Sequence, residues 1–118
     1  MICFVLSDQI PSGKNALLVT RQGRHVPSRR FTEWRRQAAK EVLTQVTGTG
    51  KPLIGPCHLQ VYYTPVDQRQ RDVTGMLDAL FHLFEYCGLI EHDGQIETLS
   101  WWRLPGKAGT RIILHPRL

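Results

Sequence analysis

Three aspartates carry the chemical signal in this chain. Asp72 falls where the polar loop Thr64 to Arg71 gives way to a helical pattern, Asp78 lies under two turns further on, and Asp93 sits in the loop His92-Asp93-Gly94-Gln95 just past the helix end. Magnesium and manganese take oxygen ligands, commonly one or more carboxylates completed by water and substrate phosphate. Carboxylates converging beneath a basic surface are what metal-assisted phosphodiester cleavage requires, because the ion activates water and neutralises developing charge. Asp72, Asp78 and Asp93 are therefore the candidate metal ligands and catalytic residues, with Mg²⁺ the expected cofactor and Mn²⁺ a substitute. The plainer account makes the same acids helix caps and solvated charges.

Other residue types offer less. His58, His92 and the cysteines Cys3, Cys57 and Cys87 stand at no zinc-finger spacing. His82 shares a polar stripe with Asp78 and Glu85, where a solvated or hydrogen-bonded imidazole is the simpler reading. Trp101-Trp102-Arg103 has the composition to stack on unpaired bases, but strand alternation turns one of the two rings toward the core.

The elements that must position these groups follow from periodicity. Ile2 to Leu6 and Ala16 to Thr20 are short apolar strands on either side of the turn Pro11-Ser12-Gly13-Lys14-Asn15. Arg21-Gln22-Gly23-Arg24 reads as a basic loop or hairpin tip. Ser28 caps a helix to about Thr47, whose apolar face is Phe31, Trp34, Ala38, Val42 and Val46, and Gly48, Gly50 and Pro52 end it. Cys57 to Tyr63 alternates as a strand. A second helix starts at Asp72 or Thr74, is apolar over most of its circumference, and stops at Gly88. Ile96 to Trp102 and Thr110 to Leu114 are closing strands joined by the turn at Pro105-Gly106. The order β-β-α-β-α-β-β predicts an α/β or α+β domain with a small mixed sheet and two main helices.

Length and charge bound the partners. The 118 residues predict a single domain spanning 1–118, with enough core to fold without staples. No apolar run approaches the roughly 20 residues of a membrane helix, and Met1 to Leu6 is too short and unflanked for a signal peptide. Three unpaired-looking cysteines suit reduced thiols in a cytosol. Net charge is +5, unevenly spread. Met1 to Lys51 balances at +6, Asp67 to Glu97 at −5, and Thr98 to Leu118 at +4. The basic ends suit a polyanion, whose phosphates Lys and Arg neutralise with release of counterions. The acidic block between them needs another explanation, and a metal site supplies one.

The stretch Arg71-Asp72-Val73-Thr74-Gly75-Met76 through Cys87-Gly88-Leu89-Ile90-Glu91-His92-Asp93-Gly94-Gln95-Ile96 resembles the RusA family of Holliday-junction resolvases. That family opens a helix with Arg-Asp and, about one helix length later, shows Gly, an apolar pair and an Asp-containing loop ending in Gln and an aliphatic residue. Ile10-Pro11-Ser12-Gly13-Lys14-Asn15 is similar to its N-terminal Pro-Ser-x-Asn turn, Ser28 to Trp34 to its first helix start, and Pro52 to Pro65 to its central strand. Departures fall inside the motif. Thr74 stands where the family carries a second Asp, Gly75 where it carries Asn, Asp78 where it carries a helix Lys, and His82 where it carries a helix Asp. Asp72 and Asp93 transfer by identity. Asp78, one turn beyond position 74 on the same face, would have to replace the missing acid.

The resemblance implies an Mg-dependent endodeoxyribonuclease that resolves four-way junctions by paired symmetrical nicks, in recombination and repair. It implies branched DNA as substrate, a C2 homodimer, and a cytoplasmic, nucleoid-associated protein of bacterial or phage origin. Lys14, Asn15, Arg21, Arg24, Arg29, Arg35, Arg36, Arg69 and Arg71 are the expected nucleic-acid contacts. Two alternatives stay open: a junction-binding module of the same fold with an altered metal site, and a small metal-dependent nuclease of other branched or single-stranded nucleic acid.

Overall fold

Alternation is clearest in the strand that ends up central. The computed structural model describes residues 1–13, 17–19, 21–47 and 51–117, with 17–19, 25 and 27 described by backbone alone. In it Cys57–Thr64 (β4) buries every second side chain, from Cys57 through Leu59 and Val61 to Tyr63. Around it Ile2–Leu6 (β1), Ile96–Arg103 (β5) and Gly109–Pro116 (β6) complete a four-stranded sheet in the order β1-β6-β4-β5. β4 runs parallel to β5 and antiparallel to β6, and β6 runs antiparallel to β1. The result is a small α+β domain with a mixed sheet and two main helices.

The parallel pair explains the helix that carries the site. Parallel neighbours need a long crossover between them. Here it is Val73–Tyr86 (α2), followed by a short 3-10 turn at Asp93–Gln95. β5 and β6 are consecutive and joined through Pro105-Gly106, yet β4 lies between them.

The first helix, Arg29–Gln45 (α1), begins as its sequence suggests, with Ser28 Oγ accepting from the Phe31 amide at 3.1 Å. It buries Phe31, Trp34, Ala38, Ala39 and Val42. It also closes one sheet edge. The Gln45 side-chain amide accepts from Val5 N and donates to Val5 O, both at 2.8 Å, and Glu41 accepts from the Ser7 amide. An unpaired strand edge invites association, and α1 satisfies this one. β5 forms the opposite edge of the sheet.

The structure adds one strand to the sequence reading. Leu17–Val19 (β2) pairs antiparallel with His25–Pro27 (β3) as a separate two-stranded sheet. Three residues ending in proline are too few to show alternation, so β3 reads as loop by sequence. Residues Lys14, Asn15, Ala16, Thr20, Gly48 and Gly50, to which turn or element-end roles attach by sequence, lie outside the described residues. The core between sheet and helices includes Phe4, Leu59, Ile112 and Leu114 from the strands and Leu80, Leu83 and Phe84 from α2. Among the described residues, no helix is long and apolar enough to cross a membrane.

Candidate active site

Asp72 is the cap of α2. Its Oδ1 accepts from the Thr74 amide at 3.1 Å and from the Thr74 hydroxyl at 2.7 Å. A carboxylate here satisfies a helix donor that would otherwise lack a partner, and it sits favourably at the positive end of the helix dipole. Met76 N bonds back to Asp72 O at 3.1 Å, closing the first turn.

The N-terminal turn crosses α2 directly over this cap. A Cβ on Gly75 would collide with Ser12 Oγ and stand 3.3 Å from Asp72 Oδ2. A Cβ on Gly13 would lie 2.7 Å from Ala79 N and 2.8 Å from Asp78 Cβ. The two glycines let the turn and the helix touch. They place Ser12 beside Asp72 and Gly13 over Asp78. Lys14 and Asn15, the next residues, lie outside the described residues.

Arginines line the same cleft as Asp72. A cleft of about 430 Å³ is lined by Ser12, Ser28, Arg30, Arg69, Arg71 and Asp72, among others. A neighbouring one of about 240 Å³ shares Arg69 and Arg71 and extends to Tyr63, Trp101 and Arg103. Arg71 is held in place by Asp67 through bonds of 2.7 and 3.2 Å. The Arg71 bond, assisted by the Arg69 amide, lowers the Asp67 carboxyl to about 2. Arg71 is thus a fixed cation, whereas Arg69 is exposed. Carboxylate and guanidinium groups facing one cleft can hold a cation and a phosphodiester side by side.

Asp93 is positioned with equal care at the other end of the helix. Its amide donates to Glu85 Oε1 at 2.9 Å. His92 Nδ1 accepts from Gly94 N at 2.8 Å, so that nitrogen carries no proton, and its 3.4 Å approach to Asp93 Oδ1 is no ion pair. Gln95 clamps the loop with its whole amide. Its Oε1 accepts from Glu91 N and His92 N, and its Nε2 donates to Leu53 O and Gly55 O. Only a motif letter marked Gln95 in the sequence; the structure gives that letter a reason.

The helix that orders both aspartates also separates them. At 1.5 Å rise per residue, Asp72 and Glu85 stand about 20 Å apart along α2, and Asp93 is bonded to Glu85. Asp78 lies between, about 9 Å along the axis from Asp72. Among the described residues no group of three His, Cys, Asp or Glu gathers to hold a metal ion. Asp72, Asp78 and Asp93 form no such group within one chain among the described residues.

No family model and no curated protein matches this chain.

The remaining expected contacts divide by what holds them. Arg35 belongs to the helix interface: Nη1 lies 2.8 Å from His82 Nε2, and its guanidinium lies 4.3 Å from the Tyr86 ring centroid. Arginine only donates, so His82 is the acceptor and is neutral at Nε2. Burial and the Arg35 charge both lower His82's affinity for a proton, against Glu85. Arg29 is exposed and pairs with Glu33 at 3.0 Å. Arg36, Arg21 and Arg24 are exposed. Arg30, Arg103 and Ser12 line the clefts without standing among the expected contacts. In sequence, Arg30 is indistinguishable from Arg29 beside it; only the direction of the helix start separates them.

Proposed function

We propose that the chain is a metal-dependent nuclease of branched DNA, acting as a homodimer in the manner its resemblance to the RusA resolvases implies. The observation that carries this reading is the Asp72 cleft, which a capping carboxylate lines together with Arg30, Arg69 and Arg71. A purely structural cap has no need of three arginines, and a purely basic DNA groove has no use for a carboxylate at its centre.

The separation of Asp72 from Asp93 shapes the proposal. Ions of this class hold their ligands at about 2.1 Å, whereas Glu85, which anchors the Asp93 amide, stands about 20 Å along α2 from Asp72. A second copy removes the conflict. Val73, Leu77 and Phe81 recur at i, i+4 and i+8 on α2, on the flank away from the Arg35 contacts. Val73 is 38% exposed, and Leu77 and Phe81 are half-buried. A two-fold axis across the middle of this flank sets the helices antiparallel, with Asp72 of one copy toward Asp93 of the other. Asp72 of one copy and Asp93 of the other would then hold the ion, with Asp78 on the polar stripe beside that flank. The chemistry a bound magnesium ion supplies is activation of water and neutralisation of charge at phosphorus. Arg71, braced by Asp67, and Arg69 and Arg30 beside it orient the phosphate against Asp72. Two such sites per dimer suit paired nicks.

The test is a labelled four-way junction incubated with and without Mg²⁺, beside a linear duplex of equal length. Paired nicks confined to the junction support the reading. Tight binding with no cleavage favours the second reading, a junction-binding module. One observation speaks for that module: the Thr74 hydroxyl, where the resolvases carry a second Asp, occupies Asp72 Oδ1. Under the nuclease reading, Asp78→Asn loses cleavage. The pair Thr74→Asp with Asp78→Lys then recovers some of it. Under the module reading, only that pair cuts.

A further inference from the structure

The sheet face turned away from both helices takes no part in the Asp72 cleft. Phe4, Leu59, Val61, Ile112 and Leu114 fill the helix side, so alternation sends the residues between them to the other. Register then sets rows across that face. Tyr62 stands between Arg111 on β6 and Trp102 on β5, Gln60 between Ile113 and Ser100, and His58 between His115 and Thr98. None of these nine positions is Asp or Glu.

The first row has the geometry of a stacking surface. The Arg111 guanidinium lies 5.1 Å from the Tyr62 ring centroid. Trp102, next in register on the edge strand β5, is 56% exposed. Its neighbour Trp101 goes the other way, onto Tyr63 with ring centroids 5.4 Å apart. Behind the aromatic row, His115 Nε2 lies 3.0 Å from Gln60 Oε1, and the His58 and His115 rings are 6.1 Å apart. Adjacent rings, a guanidinium, hydrogen-bonding edges and no carboxylate suit a flexible polyanion whose units have flat apolar faces. A duplex offers no free base faces. Val5 and Cys3 of β1 continue the first two rows, but Arg111 between Val5 and Tyr62 and Gln60 between Ile113 and Ser100 interrupt the apolar surface that a protein partner would need.

We propose that this face is a platform for single-stranded nucleic acid, with an unpaired base stacked on Trp102 beside Tyr62 and Arg111 engaging the strand. The proposal rests on this face alone and does not depend on the metal reading.

The test uses the full chain in EDTA and a fluorescein-labelled oligothymidylate of about 15 nucleotides, within the range one such platform spans. Fluorescence anisotropy should show binding that Trp102→Ala weakens at least about fivefold and Trp102→Phe largely retains. An abasic strand of equal length should bind more weakly and be indifferent to Trp102→Ala. Melting by circular dichroism confirms folding, with Trp102→Thr as the second variant because a β-branched residue suits a strand. Equal affinity of wild type and Trp102→Ala, or an abasic strand bound as well as thymidylate, overturns the proposal. So does a drop in sedimenting mass on Trp102→Ala, which would make the face an interface between copies. Junction cleavage in Mg²⁺ is read on the same preparations. Trp102-dependent binding without cleavage supports the platform and removes the nuclease, and cleavage without such binding does the reverse.

Discussion

The Thr74 hydroxyl donates to Asp72 Oδ1 at 2.7 Å, and the Thr74 amide donates to the same oxygen at 3.1 Å. Asp72 therefore does two separable things: one oxygen caps α2, and the charged residue lines the cleft that Arg30, Arg69 and Arg71 share.

The two roles come apart under substitution. Asp72→Asn keeps an acceptor for the cap and removes the charge, so stability should hold while Mg²⁺-dependent cutting is lost and metal-free junction binding strengthens. Asp72→Ala loses the cap as well, at about 1 kcal/mol. In a small domain that lowers the melting temperature by about 4–8 °C. Calorimetry and a junction assay on both variants check the pair. A destabilised Asp72→Asn would mean the charge itself holds the helix start.

If the ion is held between two chains, Asp72→Asn and Asp93→Asn should complement each other. Each homodimer has both sites broken. A mixed dimer concentrates both changes in one site and leaves the other intact. Random exchange of subunits restores about a quarter of the wild-type sites, as single nicks without pairing. Mixing after mild denaturation and refolding, read on a junction labelled on each strand, checks this. A mixture as inert as its components would place the ligands within one chain.

Gly75→Ala sets two effects against each other. Alanine in a helix is ordinarily better than glycine by about 1 kcal/mol. Here the added methyl meets Ser12 Oγ. Overpacking costs about 1–3 kcal/mol, so the net change should be a loss. Ser12→Gly in the same chain removes the obstacle and should turn the loss into a gain. A urea denaturation cycle over the four variants measures the coupling directly.

Stability should fall with acid through His82. Burial and then the Arg35 charge depress its proton affinity. The unfolded chain, near the ordinary value of about 6.5, binds the proton more readily than the folded protein. The contribution is therefore complete above about pH 6.5 and is lost as pH falls below it. Urea midpoints should drop between about pH 7.5 and 5.5, and His82→Gln should flatten that slope. An unchanged slope would assign the acid sensitivity to other groups.

The sequence by itself determined most of the elements and their caps, because these are local. Ser28 and Asp72 cap the helices that their types and positions announce, and alternation through Cys57 to Tyr63 made β4 a strand with one buried face. It also sorted Trp101 from Trp102 in principle, since a period of two sends neighbours to opposite faces. Only the tertiary structure decided which of the two packs against the core, because that depends on where the helices lie. The same holds for the arginines. Charge counting made Arg29, Arg30, Arg35 and Arg36 equivalent. Packing then tied Arg35 to His82 and Tyr86, turned Arg30 into the Asp72 cleft and left Arg29 paired with Glu33. The aspartates teach the same lesson most sharply. Their types and spacing announced metal chemistry, but only the tertiary structure bonds the Asp93 amide to Glu85, thirteen residues and about 20 Å along α2 from Asp72, because that contact joins a loop to a helix end.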